Sequence, residues 1–343
     1  MTHKTKLLDS SVESVLPNLN LSCLSGARIF VTGGTGFFGV WLLTALRVLY
    51  AKGVEVKVCV LSRDPESFLA RNPQFRNATW LNWIAGNIRD FKFPNARFDL
   101  ILHAATDTSK SAHADQINIF DDIVLGTRNV LNLAKLCRVK RILLISSGAV
   151  YGQQPPNLTK QPDSSALACD PWAINSAYGE GKRVMELMGA ILAKSTEIEC
   201  FSARCFAFSG PGIPLDGHFA IGNFVRDAIR GHKIVINGNG LAKRSYLHGA
   251  DLAIWLLYLL LKARSGVSYN VGSDQEISIR DLAFLVRRII APDSEIIVMD
   301  DDETVASSNQ NYVPSITRAR RLGCKPWTSL PESLALMYKY SSM

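Results

Sequence analysis

The residues with the clearest chemical potential are a tyrosine and a lysine four positions apart, Tyr178 and Lys182. On a helix this spacing places both side chains on one face. A lysine ammonium beside a phenol favours the phenolate, so we expect Lys182 to lower the tyrosine pKa from about 10 towards neutrality. A tyrosine with such a pKa can give a proton to a carbonyl oxygen or take one from a hydroxyl. Because the same spacing is common on helix surfaces, this interpretation needs a third group nearby.

Serine hydroxyls can supply that third group. Residues 140–146 contain the continuous apolar run 142–145, which is typical of a strand covered on both faces, and Ser146 and Ser147 stand at its end. Ligands of such sheets bind beyond the carboxyl ends of the strands. A hydroxyl at this point can therefore hydrogen-bond the same substrate oxygen that Tyr178 protonates.

A glycine-rich turn predicts a site for a dinucleotide. Residues 32–39 read Thr-Gly-Gly-Thr-Gly-Phe-Phe-Gly and follow the apolar run 28–31. Gly33 would permit the sharp turn out of a strand, Gly36 would let the backbone approach the phosphates, and Gly39 would let the next helix pack closely on the sheet. The N-terminus of that helix would then present unpaired N–H groups to the pyrophosphate.

Strand and helix patterns alternate along the chain after a polar leader, residues 1–26, which is expected to form a short helix or coil. Strands are predicted at 28–32, 54–61, 80–85, 98–104 and 140–146, and helices at 38–51, 115–138 and 176–193. Repeated strand–helix units predict an α/β fold with a doubly wound, Rossmann-like parallel sheet. Prolines and glycines become frequent after about residue 204, which predicts a second, smaller α/β substrate-binding domain. The dinucleotide-binding domain is expected to cover 22–204, with parts of 234–274 returning to it, and the substrate-binding domain 205–233 and 275–343.

The length and composition are those of an ordinary globular protein: 343 residues, 47% apolar and 20% charged. No apolar stretch is long enough to cross a bilayer and the N-terminus has no signal-peptide pattern, so we expect no membrane association and a cytoplasmic location. The seven cysteines lack metal-ligand spacing, so reduced thiols and no metal site are expected. The net charge of +8 is dispersed and no nucleic-acid reader motif is present, which favours attraction of a pyrophosphate ligand and no nucleic-acid partner.

Together these features resemble the extended branch of the short-chain dehydrogenase/reductase superfamily, specifically its nucleotide-sugar epimerase, dehydratase and reductase group. The similarity covers residues 27–290. Besides the glycine turn and the pair Tyr178 and Lys182, it rests on His103-Ala104-Ala105, Gly126-Thr127, Ser146-Ser147, Val150-Tyr151-Gly152, Gly210-Pro211-Gly212, Arg244-Ser245-Tyr246, Asp251-Leu252-Ala253 and Tyr269-Asn270-Val271-Gly272.

The resemblance implies a role for each site residue. Tyr178 would be the general acid and base, Ser147 would orient the sugar oxygen, and Lys182 would hold the nicotinamide ribose and tune Tyr178. Arg244 would grip the pyrophosphate of the sugar nucleotide, a contact that suits a guanidinium fork. The implied cofactor-binding residues are Gly33, Thr35, Gly36, Phe37, Phe38, Gly39, Ser62, Arg63, Asn87, Ile88, His103, Ala104, Ala105, Tyr178 and Lys182. The implied substrate-binding residues are Thr106, Ser147, Gly148, Tyr178 and Arg244. The family also implies a homodimer, in which helices 115–138 and 176–193 of two copies form a four-helix bundle.

The end of the second strand favours NADP(H) as the cofactor. Members of the family that prefer NAD usually have an acid at the position of Ser62, where it binds the ribose 2′-hydroxyl. Here Ser62 is followed by Arg63, and a hydroxyl with an arginine suits a 2′-phosphate. NAD stays as the alternative cofactor, since Asp64 could reach the ribose.

Other departures from the family pattern bear on the reaction. Gly148 and Ala149 replace the acidic pair of the 4,6-dehydratases, and the glutamate of the decarboxylases, which aligns with Ala149, is missing. We therefore expect neither 4,6-dehydration nor decarboxylation. Ala207 stands where many members have an asparagine that contacts the sugar nucleotide, Asn87 replaces an aspartate near the adenine, and Asp122 replaces an asparagine. These changes leave the details of the substrate open.

Four functions are compatible with the sequence. The first is an NADPH-dependent reductase of a nucleotide-linked 4-keto-6-deoxyhexose. The second is a nucleotide-sugar 4-epimerase with tightly bound NAD, which would use the same three side chains. The third is an NADPH-dependent reductase of small carbonyls of the flavonol-reductase type, suggested by Arg63-Asp64-Pro65 and disfavoured by Val150-Tyr151-Gly152 and Arg244. The fourth, a non-enzymatic nucleotide-binding protein, is disfavoured because Ser147, Tyr178 and Lys182 are all present.

Overall fold

The structure, a computed structural model, describes residues 2–107, 114–217, 219–299 and 311–343. The strands in these ranges are β1 (Arg28–Thr32), β2 (Lys57–Ser62), β3 (Leu81–Ala85), β4 (Leu100–His103), β5 (Arg141–Ser147), β6 (Glu199–Cys205), β7 (Phe208–Ser209), β8 (Ile234–Asn237), β9 (Lys243–Arg244), β10 (Leu247–His248), β11 (Ser268–Val271), β12 (Ile277–Ser278) and β13 (Ile296–Met299). The helices are α1 (His3–Val15), α2 (Phe37–Ala51), α3 (Pro65–Arg71), α4 (Gln116–Cys137), α5 (Ala177–Ser195), α6 (Ala220–Ile229), α7 (Gly249–Lys262), α8 (Ile279–Ile290), α9 (Thr317–Arg321) and α10 (Leu330–Ser341). Seven of the strands form one parallel sheet in the order β11-β6-β5-β4-β1-β2-β3, which is the predicted doubly wound arrangement.

Helices cover both faces of this sheet. The helices α1, α2 and α7 pack on one face, and α4 and α5 pack on the other. Ile29 and Val31 of β1 belong to the core on the first face, whereas Phe30 belongs to the core on the second. Side chains alternate along a strand, so a strand covered on both faces has to be apolar throughout. Among the described helices none is both long enough and apolar enough to cross a membrane.

The strand order reverses at β1. This strand lies between β4 and β2, and Thr32 at its carboxyl end is paired with His103 of β4. The connections that leave β1 and β4 therefore diverge, and a crevice opens between them. In doubly wound sheets this switch point is where ligands bind.

The leader forms a helix that closes one side of the sheet. Thr2 caps α1 by accepting a hydrogen bond from the Thr5 amide at 3.2 Å, and α1 packs on α2 and α7. Asp9 of α1 forms an ion pair with Arg47 of α2, and both side chains are more than four-fifths buried. Of the two states that the sequence left open, helix and coil, the helix is therefore the one formed.

The C-terminal part of the chain has an apolar core of its own. It is built from α6, α8, α10 and the parallel pair β8–β13, and its fully buried members include Ile221, Val225 and Leu282. In contrast, α7 and β11 belong to the layers of the large sheet. The predicted domain boundaries stay a prediction, and residues 300–310 of the predicted segment 275–343 lie outside the described residues.

A buried carboxylate joins the two parts. Asp251, in the first turn of α7, accepts hydrogen bonds from the amides of Trp327 and Thr328 at 2.8 and 3.0 Å and from the Thr328 hydroxyl at 2.8 Å. Burial raises the pKa of Asp251 to about 6, although these hydrogen bonds oppose the shift. The carboxylate therefore fixes the chain that leads into α10 against the start of α7.

Two predicted strands are shorter than expected. The second was predicted from residue 54 but begins at Lys57, because the Val54 amide donates back to Leu49 O at 3.0 Å and so continues the turn that follows α2. The fourth was predicted over 98–104 but spans Leu100–His103. The Ala104 amide donates both to Thr32 O and to Thr32 Oγ1, so the chain turns away from the sheet at this residue.

Candidate active site

The glycine turn is shaped by close backbone contacts. Gly33 has a φ of +72°, and a Cβ on it would lie 2.5 Å from the Ala104 carbonyl group. A Cβ on Gly39 would lie 2.1 Å from the Gly34 carbonyl carbon. Gly39 therefore lets α2 pack against the turn itself, and its predicted role in packing α2 on the sheet stays a prediction.

Gly36 faces open space. The nearest atom to a Cβ built on it is the Gly33 carbonyl oxygen at 4.0 Å, so the surface there is free to be approached. Gly36 is also the N-cap of α2, and no side chain among the described residues caps this end of the helix. The amides of Phe37, Phe38 and Gly39 in the first turn can therefore bind an anion. The arrangement fits a dinucleotide pyrophosphate, with Thr35 in the turn beside it.

The end of β2 would meet the adenosine ribose. The Asp64 carboxylate caps α3 by accepting from the Ser67 amide at 2.9 Å, and the Ser62 hydroxyl accepts from the Asp64 amide at 3.2 Å. The Arg63 side chain is 72% exposed and its guanidinium lies 3.3 Å from the Asp107 carboxylate. Both side chains thus have partners within the protein: Asp64 caps α3, and Arg63, which projects from the surface, pairs with Asp107.

The predicted adenine-side residues Asn87 and Ile88 lie in a loop held against α4. Asn87 Oδ1 accepts from the Arg89 amide at 3.0 Å, and Ile88 O accepts from Asn129 Nδ2 at 3.1 Å. A Cβ built on Gly126 of α4 would lie 2.9 Å from Ile88 Cγ1. The Ile88 side chain therefore packs directly on the helix at this glycine. The loop is therefore rigidly placed, and contact with an adenine ring stays a prediction.

His103 serves the scaffold through its ring. Its two ring nitrogens lie 2.8 Å from Thr32 Oγ1 and 3.2 Å from Thr127 Oγ1, and burial lowers its pKa to about 3. The ring is therefore a neutral bridge between β1, β4 and α4. Thr32 Oγ1 also accepts from the amides of Ala104 and Ala105, each at 3.1 Å. Any contact of His103 with a cofactor would come from its backbone.

Lys182 is almost completely buried, with 3% of its surface exposed. Its ammonium donates to Ile145 O at 2.7 Å and to Thr106 Oγ1 at 2.9 Å. These two bonds tie α5 to the carboxyl end of β5 and to the loop after β4. Thr106, predicted to bind substrate, is thus a direct partner of the buried lysine.

Tyr178 and Ser147 meet at the carboxyl end of β5. The Ser147 hydroxyl lowers the pKa of the Tyr178 phenol, and the Lys182 ammonium lies 5.8 Å from the centre of the Tyr178 ring. The Ser147 hydroxyl is further held by the Ala149 amide, which donates to it at 3.1 Å. The three predicted catalytic side chains therefore converge.

The expected lowering of the Tyr178 pKa is wrong for the protein on its own. Burial raises this pKa to about 12, and the hydrogen bond from Ser147 opposes the shift only in part. Burial also lowers the pKa of Lys182 to about 8, so this lysine loses its proton more readily than the prediction assumed. The lysine directs its protons to Ile145 and Thr106, and a charge in this position cannot offset the loss of water around the phenol.

Tyr312 is a site residue that the sequence analysis missed. Its phenol oxygen lies 3.5 Å from the Cys205 carbonyl oxygen, and a Cβ built on Gly148, the neighbour of Ser147 in the chain, would lie 2.6 Å from it. The segment that carries it pairs with β9 at Arg244. Arg244 is half-buried, and burial lowers its pKa while the neighbouring Tyr246 and Tyr312 oppose the shift. No local motif surrounds Tyr312, so only the folded chain reveals its position.

The fold and the site define an extended short-chain dehydrogenase/reductase. A model of the NAD dependent epimerase/dehydratase family matches residues 29–272, so the chain belongs to that family. It is 30% identical over 317 residues to UDP-glucuronic acid decarboxylase 6 of Arabidopsis thaliana, covering 91% of this chain and 88% of that one. It is also 30% identical over 319 residues to UDP-glucuronic acid decarboxylase 1 of Xenopus tropicalis, and the match covers 90% of this chain and 70% of that one.

Solved structures share the fold. The UDP-glucose 4-epimerase of Thermotoga maritima with UDP-glucose superposes with a TM-score of 0.78 at 21% identity, covering 92% of this chain and 98% of that one. DesIV, a dTDP-glucose 4,6-dehydratase of Streptomyces venezuelae with NAD bound, superposes with a TM-score of 0.78 at 24% identity. This superposition covers 92% of this chain and 97% of that one. The predicted Rossmann-like class is thereby confirmed.

The site can move a proton at an oxygen placed between Ser147 and Tyr178. Ser147 would hold that oxygen, and Tyr178 would give it a proton or remove one. A bound nicotinamide would supply or accept the hydride at the adjoining carbon, and its oxidised, positively charged ring would favour the Tyr178 phenolate.

Replacing Tyr178 with phenylalanine removes the proton carrier and keeps the ring. We expect kcat for hydride transfer to fall by about 10²- to 10⁴-fold, with nucleotide binding retained, as measured by nicotinamide absorbance and by titration of the cofactor. Tyr151→Phe is the matched control, because the Tyr151 hydroxyl is buried nearby but donates to Asn270 Oδ1 at 2.8 Å. Full activity of Tyr178→Phe would exclude every catalytic scheme based on this site.

Proposed function

We propose that this protein is an NAD(P)-dependent oxidoreductase acting at C4 of a nucleotide-linked hexose, and that its net reaction is reduction of a 4-keto-6-deoxy sugar nucleotide by NADPH. The observation that carries the proposal is the placement of Tyr178 beside the buried Lys182, whose ammonium is fixed at the carboxyl end of the strand that carries Ser147. In this reaction the C4 carbon gains a hydride while its oxygen gains the Tyr178 proton, which solvent then replaces.

The relatives named as decarboxylases give a second candidate, decarboxylation of UDP-glucuronic acid. Against it stand the residues beside the catalytic serine, Gly148 and Ala149, neither of which carries a carboxylate. A Cβ on Gly148 would lie 2.6 Å from the Tyr312 hydroxyl and 2.8 Å from the Phe206 ring. The space next to Ser147 is thus taken by aromatic side chains, which supports hydride transfer without a further acid.

A 4-epimerase is the third candidate, because it needs the same three side chains. It differs in keeping its NAD between two hydride transfers at one carbon. The placement of Arg63 and Asp64 supports an exchangeable NADPH and therefore a net reduction. Arg244, on the strand beside Tyr312, supports a substrate with a pyrophosphate over a small carbonyl compound.

A substrate panel distinguishes these reactions. We expect dTDP- or GDP-linked 4-keto-6-deoxyhexoses to oxidise NADPH, measured as loss of nicotinamide absorbance, and the denatured protein to release no NAD. Interconversion of UDP-glucose and UDP-galactose without added coenzyme would instead establish an epimerase. Release of carbon dioxide from UDP-glucuronic acid would establish a decarboxylase, and either result would overturn the reductase proposal.

The cofactor preference depends on Arg63 in this proposal. Arg63→Ala should raise the KM for NADPH by about 10- to 100-fold through loss of a charge-assisted hydrogen bond, and leave the KM for NADH unchanged. Arg71→Ala is the control, since Arg71 lies on the neighbouring α3 and donates to Ser67 O. If Arg63→Ala raised the KM for NADPH and the KM for NADH equally, Arg63 would not bind the 2′-phosphate.

We also infer that two copies associate through α4 and α5. These helices pack on each other and expose large apolar side chains on their outer faces. Leu187 and Ile191, one turn apart on α5, are 60% and 59% exposed, and Leu125 and Leu136 of α4 are 44% and 68% exposed. Apolar side chains on adjacent helices form a surface that a second copy can cover symmetrically.

Leu187→Arg would place a charge in this surface. We expect the wild-type protein to sediment as a dimer and Leu187→Arg as a monomer, because a buried unpaired charge opposes association. Leu241→Arg is the matched control, since Leu241 is 57% exposed but lies away from α4 and α5. A monomeric wild-type protein would contradict the proposed dimer.

A further inference from the structure

The helix that follows the glycine turn also packs on the part of the chain that leads on from Arg244. Phe38 and Trp41 lie three residues apart near the start of α2 and so share one face of the helix. The Phe38 ring meets the Phe208 ring of β7 edge to face, with the ring centres 4.9 Å apart. The Trp41 ring meets the His248 ring of β10 in the same way, at 5.1 Å. The start of α2 is therefore docked on the strand pair β7–β10.

A hydrogen bond of Trp41 joins α2 to the loop 210–212, which belongs to the predicted substrate-binding domain. The indole is fully buried, and its Nε1 donates to Pro211 O at 3.2 Å. A Cβ built on Gly249 would lie 2.1 Å from this nitrogen, so the indole lies directly on the backbone at the start of α7. A buried indole N–H needs an acceptor, and the loop supplies it. The bond thus joins residues that are 170 positions apart in the chain.

The loop 210–212 is shaped to present this carbonyl group. Gly210 has a φ of +125°, which side chains rarely allow, and a Cβ built on it would lie 2.9 Å from His248 Cε1. The Ile213 amide donates to Gly210 O at 3.3 Å and closes the turn. The backbone of the loop is therefore held close to β10, with Pro211 O directed at the indole.

The strand pair β7–β10 lies close in the chain to the site residues. β10 begins three residues after Arg244. β7 begins three residues after Cys205, which is the partner of Ser147 in the large sheet. The position of the strand pair therefore sets where Arg244 lies relative to Ser147.

Side-chain bonds also fix the strand pair to α10. The Ser333 hydroxyl donates to Ser209 Oγ at 2.8 Å. Since its proton is used there, it accepts from His248 Nδ1, also at 2.8 Å. The strand pair is thus a firm support on which α2 docks, and the contact with α2 transmits the position of one to the other.

We propose that Trp41 is a positioning residue that couples the two ligand sites of the protein. Its bond to Pro211 O joins the turn that would bind the cofactor pyrophosphate to the strand pair that leads on from Arg244. A ligand in the glycine turn orders the start of α2, and through Trp41 it also orders the loop 210–212. The effect on turnover rests on the proposed function, whereas the coupling itself needs only a ligand in the glycine turn.

Hydrogen exchange of the full chain, measured by mass spectrometry, tests this coupling. The ligand is ADP-ribose, which carries the pyrophosphate but has no nicotinamide ring that could itself cover the loop. In the wild-type protein we expect ADP-ribose to slow exchange in a peptide covering 209–215 by about 3- to 10-fold, the worth of one hydrogen bond. In Trp41→Phe, which keeps a buried ring and loses the N–H, this protection should be lost while the protection of 36–42 remains.

Trp255→Phe is the matched control. Trp255 of α7 is also fully buried, and its indole also donates to a backbone oxygen, Lys325 O, at 3.2 Å. This variant loses an equivalent bond and so matches the loss of stability, but ADP-ribose should still protect 209–215. Undiminished protection of the loop in Trp41→Phe overturns the proposal, and so does an equal loss of protection in Trp255→Phe.

The wild-type measurement needs no variant and no sugar nucleotide, so its result is separate from that of the substrate panel. Protection of 36–42 without protection of 209–215 overturns the coupling and leaves the proposed reaction standing. If the panel fails while the loop is protected through Trp41, the coupling stands and the proposed reaction falls. Protection of neither segment by ADP-ribose overturns both.

Turnover gives a second readout of positioning. At saturating NADPH, Trp41→Phe should raise the KM for the sugar nucleotide by about 3- to 10-fold and leave kcat unchanged, because the bond places the substrate side of the site and takes no part in the chemical step. A lower kcat at unchanged KM, or the same rise in KM in Trp255→Phe, would overturn the positioning role.

Discussion

The geometry of the site depends on one buried amine. Lys182 is enclosed by protein, and leaving an ammonium unpaired there would cost several kcal/mol. Its bonds to Ile145 O and Thr106 Oγ1 meet that demand and fix α5 against the carboxyl ends of β4 and β5. Tyr178 lies one turn earlier on the same helix, so the anchoring of the lysine also sets where the phenol lies relative to Ser147.

A second constraint is the tight approach of backbone to backbone at the switch point of the sheet. Gly33 approaches the Ala104 carbonyl group, and Gly39 approaches Gly34, at distances that no Cβ permits. The amides of Ala104 and Ala105 converge on Thr32 Oγ1 in the same place. The start of α2 is thereby held open beside β4, and a pyrophosphate and a proton-transfer site can share one crevice.

Within this scaffold, the surroundings of Ser147 bear on the proposed reaction. Relatives that are about 30% identical bear the name of UDP-glucuronic acid decarboxylases. In this chain Gly148 makes room for Tyr312, and Phe206 closes the remaining space. The Tyr312 phenol, which is uncharged at neutral pH, lies next to Ser147. A carboxylate in the same place would carry a negative charge. Membership of the family therefore establishes the scaffold, whereas these neighbours of Ser147 are the basis for the proposed reaction.

The sequence alone determined the sheet, the glycine turn and the convergence of Ser147, Tyr178 and Lys182. The sheet and the glycine turn follow from residues close together in the chain, as does the pairing of Tyr178 with Lys182. Ser147 was joined to this pair by the rule that ligands bind at the carboxyl ends of the strands and by the family resemblance. Strand ends were predicted less well, since hydrogen bonds such as the one from Val54 to Leu49 decide where a strand begins.

Only the tertiary structure decided the state of the catalytic groups. The spacing of Tyr178 and Lys182 predicted a lowered phenol pKa, but the depth of burial, which no local pattern records, raises it. Tyr312 was not predicted for the same reason, because its neighbours Gly148, Cys205 and Phe206 are distant in the chain and meet it through folding alone. Local spacing specifies which groups share a helix or a turn, whereas desolvation and long-range contacts depend on how the whole chain packs.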